Sequence, residues 1–545
     1  MKTLNAALTG SLAVIALTVC AQTPREATYP LSRAAQKGFL EELKFSDNGD
    51  VSLIYQNKGS KTEIVREQYA FNSDFKLTNN ETITTPVEIK PDIEKERVFA
   101  WVGACTSFDI NSMKVRISRD KLLMKWDYNR HRYVRKKTLE SETVKVKNEK
   151  GKFYYGIDNF YDETNGKIVL FVYMETKDKA NPRQYAIVKV NVSGDVEEIP
   201  IELKGSYSIV YTQVLATDDN GDDDDATESG FIAVLASNQK GSFSNYVFLH
   251  YDLTGKEISK VNFSSPSPNL LVTGATERQG AVYLFGYSVK GDGGYKDEFD
   301  DYQPMINPCY KDYNNVQMIS YTKKADRSMD FFHFIKIENG AMAFGTTAPM
   351  SSIKSKMKTP PSQKSGTPFK GGRFVTSNLS TSPGGEFLLT GQLVGWGFIR
   401  GVSSTVGTYG DIVCLHFDNQ GQFKAQYAVD RIDDDKKSKV FRVRQNFYFS
   451  ADGQTAYWEI WEVKGVKGYA NFYDAFYNIP SFHARRYPRV GRIALASASL
   501  SDFKVLGDGK YFISDAAFLR SSNTIVYVGK DENEENIWLA SLKLD

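Results

Sequence analysis

The residues best suited to chemistry are sparse and badly spaced for it. Five histidines are spread along the chain: His131, His250, His333, His416 and His483. None forms an H-x-x-H or H-E-x-x-H pair, so local spacing supplies no zinc site. There is no G-x-S-x-G nucleophile elbow, no phosphate loop and no dinucleotide glycine fingerprint. The densest acidic run holds Asp218, Asp219, Asp222 and Asp224, flanked by Asn220 and Gly221. Carboxylates in a flexible loop are hard oxygen donors suited to Ca²⁺. Their order does not follow an EF-hand loop, so a solvated hairpin loop is the favoured reading and no cofactor is expected, Ca²⁺ being the alternative. The four cysteines, Cys20, Cys105, Cys309 and Cys414, contain no C-x-x-C pair. Cys414 lies in an apolar strand pattern and reads as core.

The elements that must position any site are strands. Aromatic residues make up 13% of the 545 residues, which suits pleated, half-buried surfaces. The 68 basic and 66 acidic residues nearly cancel, leaving no global field for nucleic acid. Residues 1–21 have the layout of a secretory signal: Lys2, an apolar stretch from Ala6 to Val19, then Val19-Cys20-Ala21 before Gln22. The stretch is too short to span a bilayer. The chain is expected to be exported, periplasmic or extracellular; the alternative is a lipoprotein anchored at Cys20. No other segment reads as transmembrane.

From residue 22 to 545 one unit recurs. It opens as a hairpin whose turn is rich in Asp, Asn, Ser and Gly, as in Phe449-Ser450-Ala451-Asp452-Gly453-Gln454-Thr455-Ala456-Tyr457 and in Phe45 to Leu53. A third strand follows and ends in a polar turn. Copies run Tyr246 to Gly255, Val413 to Gly421 and Ala186 to Gly194. His250 and His416 hold equivalent places in this strand, which points to an inter-blade structural role. Asn72 to Leu77 and Leu500 to Val505 match at the turn into a fourth strand.

The segment Phe449 to Tyr457 resembles the F-S-P-D-G-K-x-L-Y signature of TolB-like and WD-type propeller repeats. Ser382-Pro383-Gly384-Gly385 looks like a variant of it. The resemblance implies architecture alone. The expected fold is all-β: a single β-propeller of eight four-stranded blades, with seven as the alternative. Second strands start near residues 49, 166, 230, 280, 385, 453 and 523, and Val115 to Met124 supplies a divergent hairpin. The last repeat stops after three strands, so a segment near Thr28 to Ser32 is expected to close the ring.

Insertions are expected at 217–229, 288–315, 346–373, 392–411 and 464–490. Three of these are second-to-third-strand loops of successive blades, which propeller topology gathers on one face. They are rich in aromatics and arginine, the residues that dominate interface centres. The candidate binding set is Trp396, Phe398, Arg400, Tyr473, Phe476, Tyr477, Arg485 and Arg486. The competing reading is a mini-core in which the loops bury their rings on one another. Residues 351–373, with Lys354, Lys356, Lys358, Lys364 and Lys370 among Ser, Thr, Pro and Gly, read as a mobile basic loop.

The function expected is non-enzymatic: a monomeric scaffold at the cell envelope that binds a protein or glycan, not nucleic acid. The rival is a propeller enzyme, a glycan lyase or hydrolase or a calcium-dependent hydrolase, with its site in the central channel.

Overall fold

The repeated hairpin turn is assembled from its own side chains. In the computed structural model, Ser450 Oγ donates to Asp452 Oδ1 at 2.6 Å and accepts from Thr455 N at 2.9 Å. Asp452 Oδ1 also accepts from Gln454 N at 3.0 Å. Gly453 follows at φ +68°, a left-handed conformation that glycine adopts without strain. The turn after the third strand has its own local rule. Asp252, Asp418 and Asn191 each accept from the backbone N–H groups two and four residues on, at 2.8–3.0 Å. These Asx-type bonds explain why the same polar residues recur in the sequence.

The structure describes residues 24–544 except 47, 58–62, 87–89, 103–114, 128–131, 147–153, 163–166, 181–182, 192, 194, 218–226, 292–328, 364–365, 372–373, 399–404, 433–437, 468–482 and 522. The strands assemble into eight blades in a ring. Blade 1 comprises Phe39–Phe45, Val51–Gln56, Glu63–Phe71 and Leu77–Pro86. Blade 2 shows three described strands, Ile93–Val102, Val115–Asp127 and Arg132–Val146. Blade 3 runs Tyr154–Asp162, Lys167–Glu175, Arg183–Asn191 and Val196–Ile201; blade 4 runs Tyr207–Thr217, Thr227–Ser237, Asn245–Asp252 and Glu257–Ser264. Blade 5 comprises Leu271–Arg278, Ala281–Ser288, Phe331–Glu338 and Ala341–Pro349. Blade 6 comprises Phe374–Thr381, Phe387–Phe398, Thr405–Phe417 and Phe423–Val429. Blade 7 begins Arg444–Phe449, Thr455–Lys467 and His483–Ala494, and its outer strand is split between Ser499–Leu500 and Lys504–Val505.

Blade 8 supplies Tyr511–Ser521, Thr524–Asp531 and Asn536–Lys543, and takes its outer strand, Arg25–Pro30, from the other end of the chain. That splice is the expected one, displaced a few residues toward the N-terminus. It is held beyond its ladder: Glu26 accepts from Trp538 Nε1 and Gly507 N, both at 3.1 Å. Leu31 and Ala35 are buried in a core shared by blades 8 and 1. Every second strand anticipated from a turn is present. Val115 to Met124, expected to supply a divergent hairpin, instead lies within one continuous strand, Val115–Asp127, whose Arg119 and Asp120 stay in the ladder opposite Val98 and Arg97.

Between blades the interior is aromatic and aliphatic. One buried cluster joins blades 4, 5 and 6, and others join 6 to 7, 7 to 8, and 3 to 4.

The described part of 351–373, residues 351–363 and 366–371, departs from the expected mobile loop. A short helix, Met350–Ser355, buries Met350 and Ile353. Met357–Lys358 then pairs in parallel with Gln426 and Tyr427 as a fifth strand on blade 6. Lys358 Nζ donates to Ala498 O at 2.6 Å, and Ser362 N donates to Asp502 Oδ1 at 2.7 Å, both in blade 7. Phe369 is fully buried, and its N–H donates to Gln426 Oε1. Composition misleads here because three apolar anchors and a few backbone bonds suffice to order a polar strap. The strap also covers a sheet edge that would otherwise be open to pairing.

Candidate functional site

The second-to-third-strand connections of blades 5, 6 and 7 leave from one rim. In blades 5, 6 and 7 the second strand ends at Ser288, Phe398 and Lys467, and the third begins at Phe331, Thr405 and His483. The intervening stretches are therefore 289–330, 399–404 and 468–482. Two expected loops shrink accordingly. Most of 392–411 is ladder: Trp396 pairs with Gly407, and Phe398 with Thr405. In 464–490 the strands of blade 7 continue to Lys467 and resume at His483. Long β extension explains the correction, since Val, Thr and Trp favour strands even outside the hairpin repeat.

Of the candidate residues, Trp396 and Phe398 lie on a blade 6 strand near its rim; their side chains fall outside the described residues. Arg400, Tyr473, Phe476 and Tyr477 lie outside them altogether, as do Asp218, Asp219, Asp222 and Asp224. Arg485 and Arg486 are half-buried in the third strand of blade 7. Arg485 forms an ion pair with Glu532 of blade 8, and its guanidinium lies 5.4 Å from the Phe512 ring centroid.

Beneath this rim is an ion triad that the sequence did not betray. Glu462, on the second strand of blade 7, is fully buried. Arg431 Nε lies 3.1 Å from its Oε1, and Arg489 Nη2 lies 2.8 Å from its Oε2. The spare N–H groups of Arg431 donate to Tyr409 O, Phe441 O and Ser438 O at 3.2–3.3 Å. Arg489 donates to Asp430 O at 2.7 Å. Charges taken from water need this degree of pairing. The triad clamps the blade 6 to blade 7 connection onto the strands that carry the rim.

The histidines with described side chains are embedded in the blades. His416 sits between Glu386 Oε2 at 2.9 Å and Tyr427 OH at 3.0 Å, and Lys424 Nζ reaches Glu386 Oε1 at 2.6 Å. Burial works to raise the Glu386 pKa, but the Lys424 and His416 hydrogen bonds outweigh it and hold the carboxyl below its ordinary range. His333 is fully buried between Ser288 Oγ at 2.7 Å and Thr347 Oγ1 at 3.1 Å. Burial pushes its pKa down to about 4, so it is neutral at pH 7. Burial likewise lowers His250.

Among the described residues no group of three His, Cys, Asp or Glu is placed to hold a metal. A groove of about 730 Å³ lies between blades 3 and 4, walled in part by Arg183, Tyr185, Glu198, Tyr207 and Lys260. Among the described residues no helix is long and apolar enough to cross a membrane.

The fold defines the class: an eight-bladed β-propeller. No protein-family model matches the chain, and no curated protein sequence matches it. Among solved structures it is similar to a member of the DUF4221 family from Bacteroides vulgatus, at 11% identity over 73% of this chain and 95% of that one, with a TM-score of 0.22. It is similar to a polysaccharide lyase at 9% identity, covering 92% and 89% of the two chains, TM-score 0.23. A lignostilbene dioxygenase from Pseudomonas brassicacearum matches at 10% identity over 83% and 90%, TM-score 0.31. Likenesses this distant carry no argument about activity.

Proposed function

We propose that this propeller is an exported, non-enzymatic binding protein that recognises a protein or glycan through the rim of blades 5 to 7. One observation supports the reading above others. Three successive second-to-third-strand excursions start from one rim, and that rim rests on the Arg431–Glu462–Arg489 triad and the 350–373 strap. Recognition loops on a rigid scaffold are the usual way a propeller or sandwich gains a ligand. The aromatic and arginine content of the excursions matches what interface centres use.

The test uses four variants, Trp396→Ala, Tyr473→Ala, Phe476→Ala and Arg486→Ala, on a glycan array and in a pull-down from envelope extract. A true hot spot loses about thirtyfold in affinity, roughly 2 kcal/mol, with an unchanged melt. Four large drops in melting temperature make the cluster a mini-core and end the proposal. Turnover by the wild-type protein in a lyase and hydrolase panel also ends it, in favour of a channel enzyme.

A further inference from the structure

Blade 2 handles charge in two opposite ways along its length. In its middle the charges are matched. Arg119 pairs with Glu96 at 2.5 Å and Lys121 with Glu94 at 3.0 Å. On the third strand, Glu142 stands opposite Arg119 and Glu140 opposite Lys121.

Toward the end where the second strand passes to the third, the match disappears. The exposed side chains there are Lys90, Lys125, Arg135, Lys136 and Lys137, with Asp92 the one described carboxylate among them. Asp92 is taken by Lys136 at 2.7 Å. Among the described residues no carboxylate pairs with Lys125, Arg135 or Lys137.

An aromatic pair and an irregular edge lie beside these cations. Trp126 and Tyr133 meet edge to face with centroids 5.0 Å apart. Lys90 Nζ stands 3.9 Å over the Trp126 ring, a cation–π contact that anchors it. Met124 pairs with Arg135 and Leu123 with Lys137, so Lys136 is an extra residue in the ladder. Arg135 and Lys137 thus stand on opposite faces of the strand, with Lys136 in the bulge between them.

We propose that this end of blade 2 binds an acidic polysaccharide, a linear chain carrying carboxylates or sulfates. Clustered cations repel one another and lose that repulsion when an anion binds, and the field they make draws polyanions in. Residues 133–137 span about 13 Å of extended strand, the length of a short oligosaccharide that could run along it and meet cations from both faces. The two aromatic rings are occupied with each other and with Lys90, which disfavours base stacking and hence nucleic acid. The proposal rests on the exported reading but not on the rim of blades 5 to 7. Blade 2 lies across the ring from blade 6.

The probes are polygalacturonate and dextran sulfate, with neutral dextran and a single-stranded DNA oligomer as comparators, at about 0.15 M ionic strength. The variant is Lys125→Ser/Arg135→Ser/Lys137→Ser, whose exposed side chains leave the melt unchanged. The expected result is binding of at least one acidic polysaccharide, weakened by roughly tenfold or more in the variant and by added salt. Neutral dextran stays unbound, and the Tyr473→Ala and Phe476→Ala proteins bind the polyanion as the wild type does. No acidic polysaccharide binding, equal binding by the triple variant, or loss in the rim variants overturns the assignment. Tighter binding of the DNA overturns it in favour of a nucleic acid.

Discussion

The second strands of blades 2 and 7 are each 13 residues long and occupy the same place in the repeat. They live in different solvents. In blade 7, Trp458, Ile460 and Val463 are fully buried, and so are the carboxylates of Glu459 and Glu462. Glu459 accepts from Tyr527 OH at 2.6 Å and from Tyr448 OH and Asn446 Nδ2 at 3.0 Å. Glu462 is held by two arginines. In blade 2, Leu122 is the buried residue among the described side chains of that strand, and Arg119 and Lys121 lie in water beside their partners. The difference teaches where polar groups cost stability. A dry blade must satisfy every carboxylate internally, whereas a wet one tolerates unmatched charge and can leave it for a ligand.

The comparison is most exposed at Trp458, which stacks on Phe447 at 5.7 Å and meets Phe503 edge-on at 5.5 Å. Trp458→Ala should destabilise the protein by about 3–5 kcal/mol in denaturant unfolding. A loss below about 1 kcal/mol would mean that the crowded side does not carry the stability assigned to it.

A smaller effect comes from acid. The pKa of His333 is about 4 when folded, against 6.5 for the unfolded chain. Below 6.5 the unfolded state binds a proton that the folded state refuses. Stability should therefore fall as pH drops from about 6.5 to about 4 and then level off, by on the order of 3 kcal/mol. His333→Gln should flatten that part of the pH profile; an unchanged slope assigns the acid sensitivity to other groups.

The smallest effect belongs to blade 2. Glu96 and Arg119 are about half exposed, so Glu96→Gln should cost under about 1 kcal/mol, and less in high salt. A loss as large as that of Trp458→Ala would erase the distinction between the two strands.

Local chemistry was enough to reveal the repeat. The Ser450–Asp452–Gly453 turn and the Asx turns at Asp252 and Asp418 depend on residues within five positions of one another. Their spacing located seven of the eight second strands and left a gap where blade 2 lies; the missing fourth strand of the last repeat pointed to the N-terminal splice. The strap was illegible because its order comes from Gln426, Ala498 and Asp502, residues 57 to 140 positions away. The blade 6 and blade 7 loops were drawn too long because strand-favouring residues carry the ladder past the repeat, whereas the blade 5 stretch, drawn as 288–315, runs from 289 to 330 between its described strands.

The sequence by itself determined the repeat, its count and the way the ring closes, since turn and strand preferences act over a few residues. The tertiary structure alone decided which charges are dry and which are wet. Glu462 and Glu96 are the same residue type on neighbouring strands of the repeat, one fully buried and the other half exposed. Burial depends on what the next blade packs against that strand, and no local pattern encodes it.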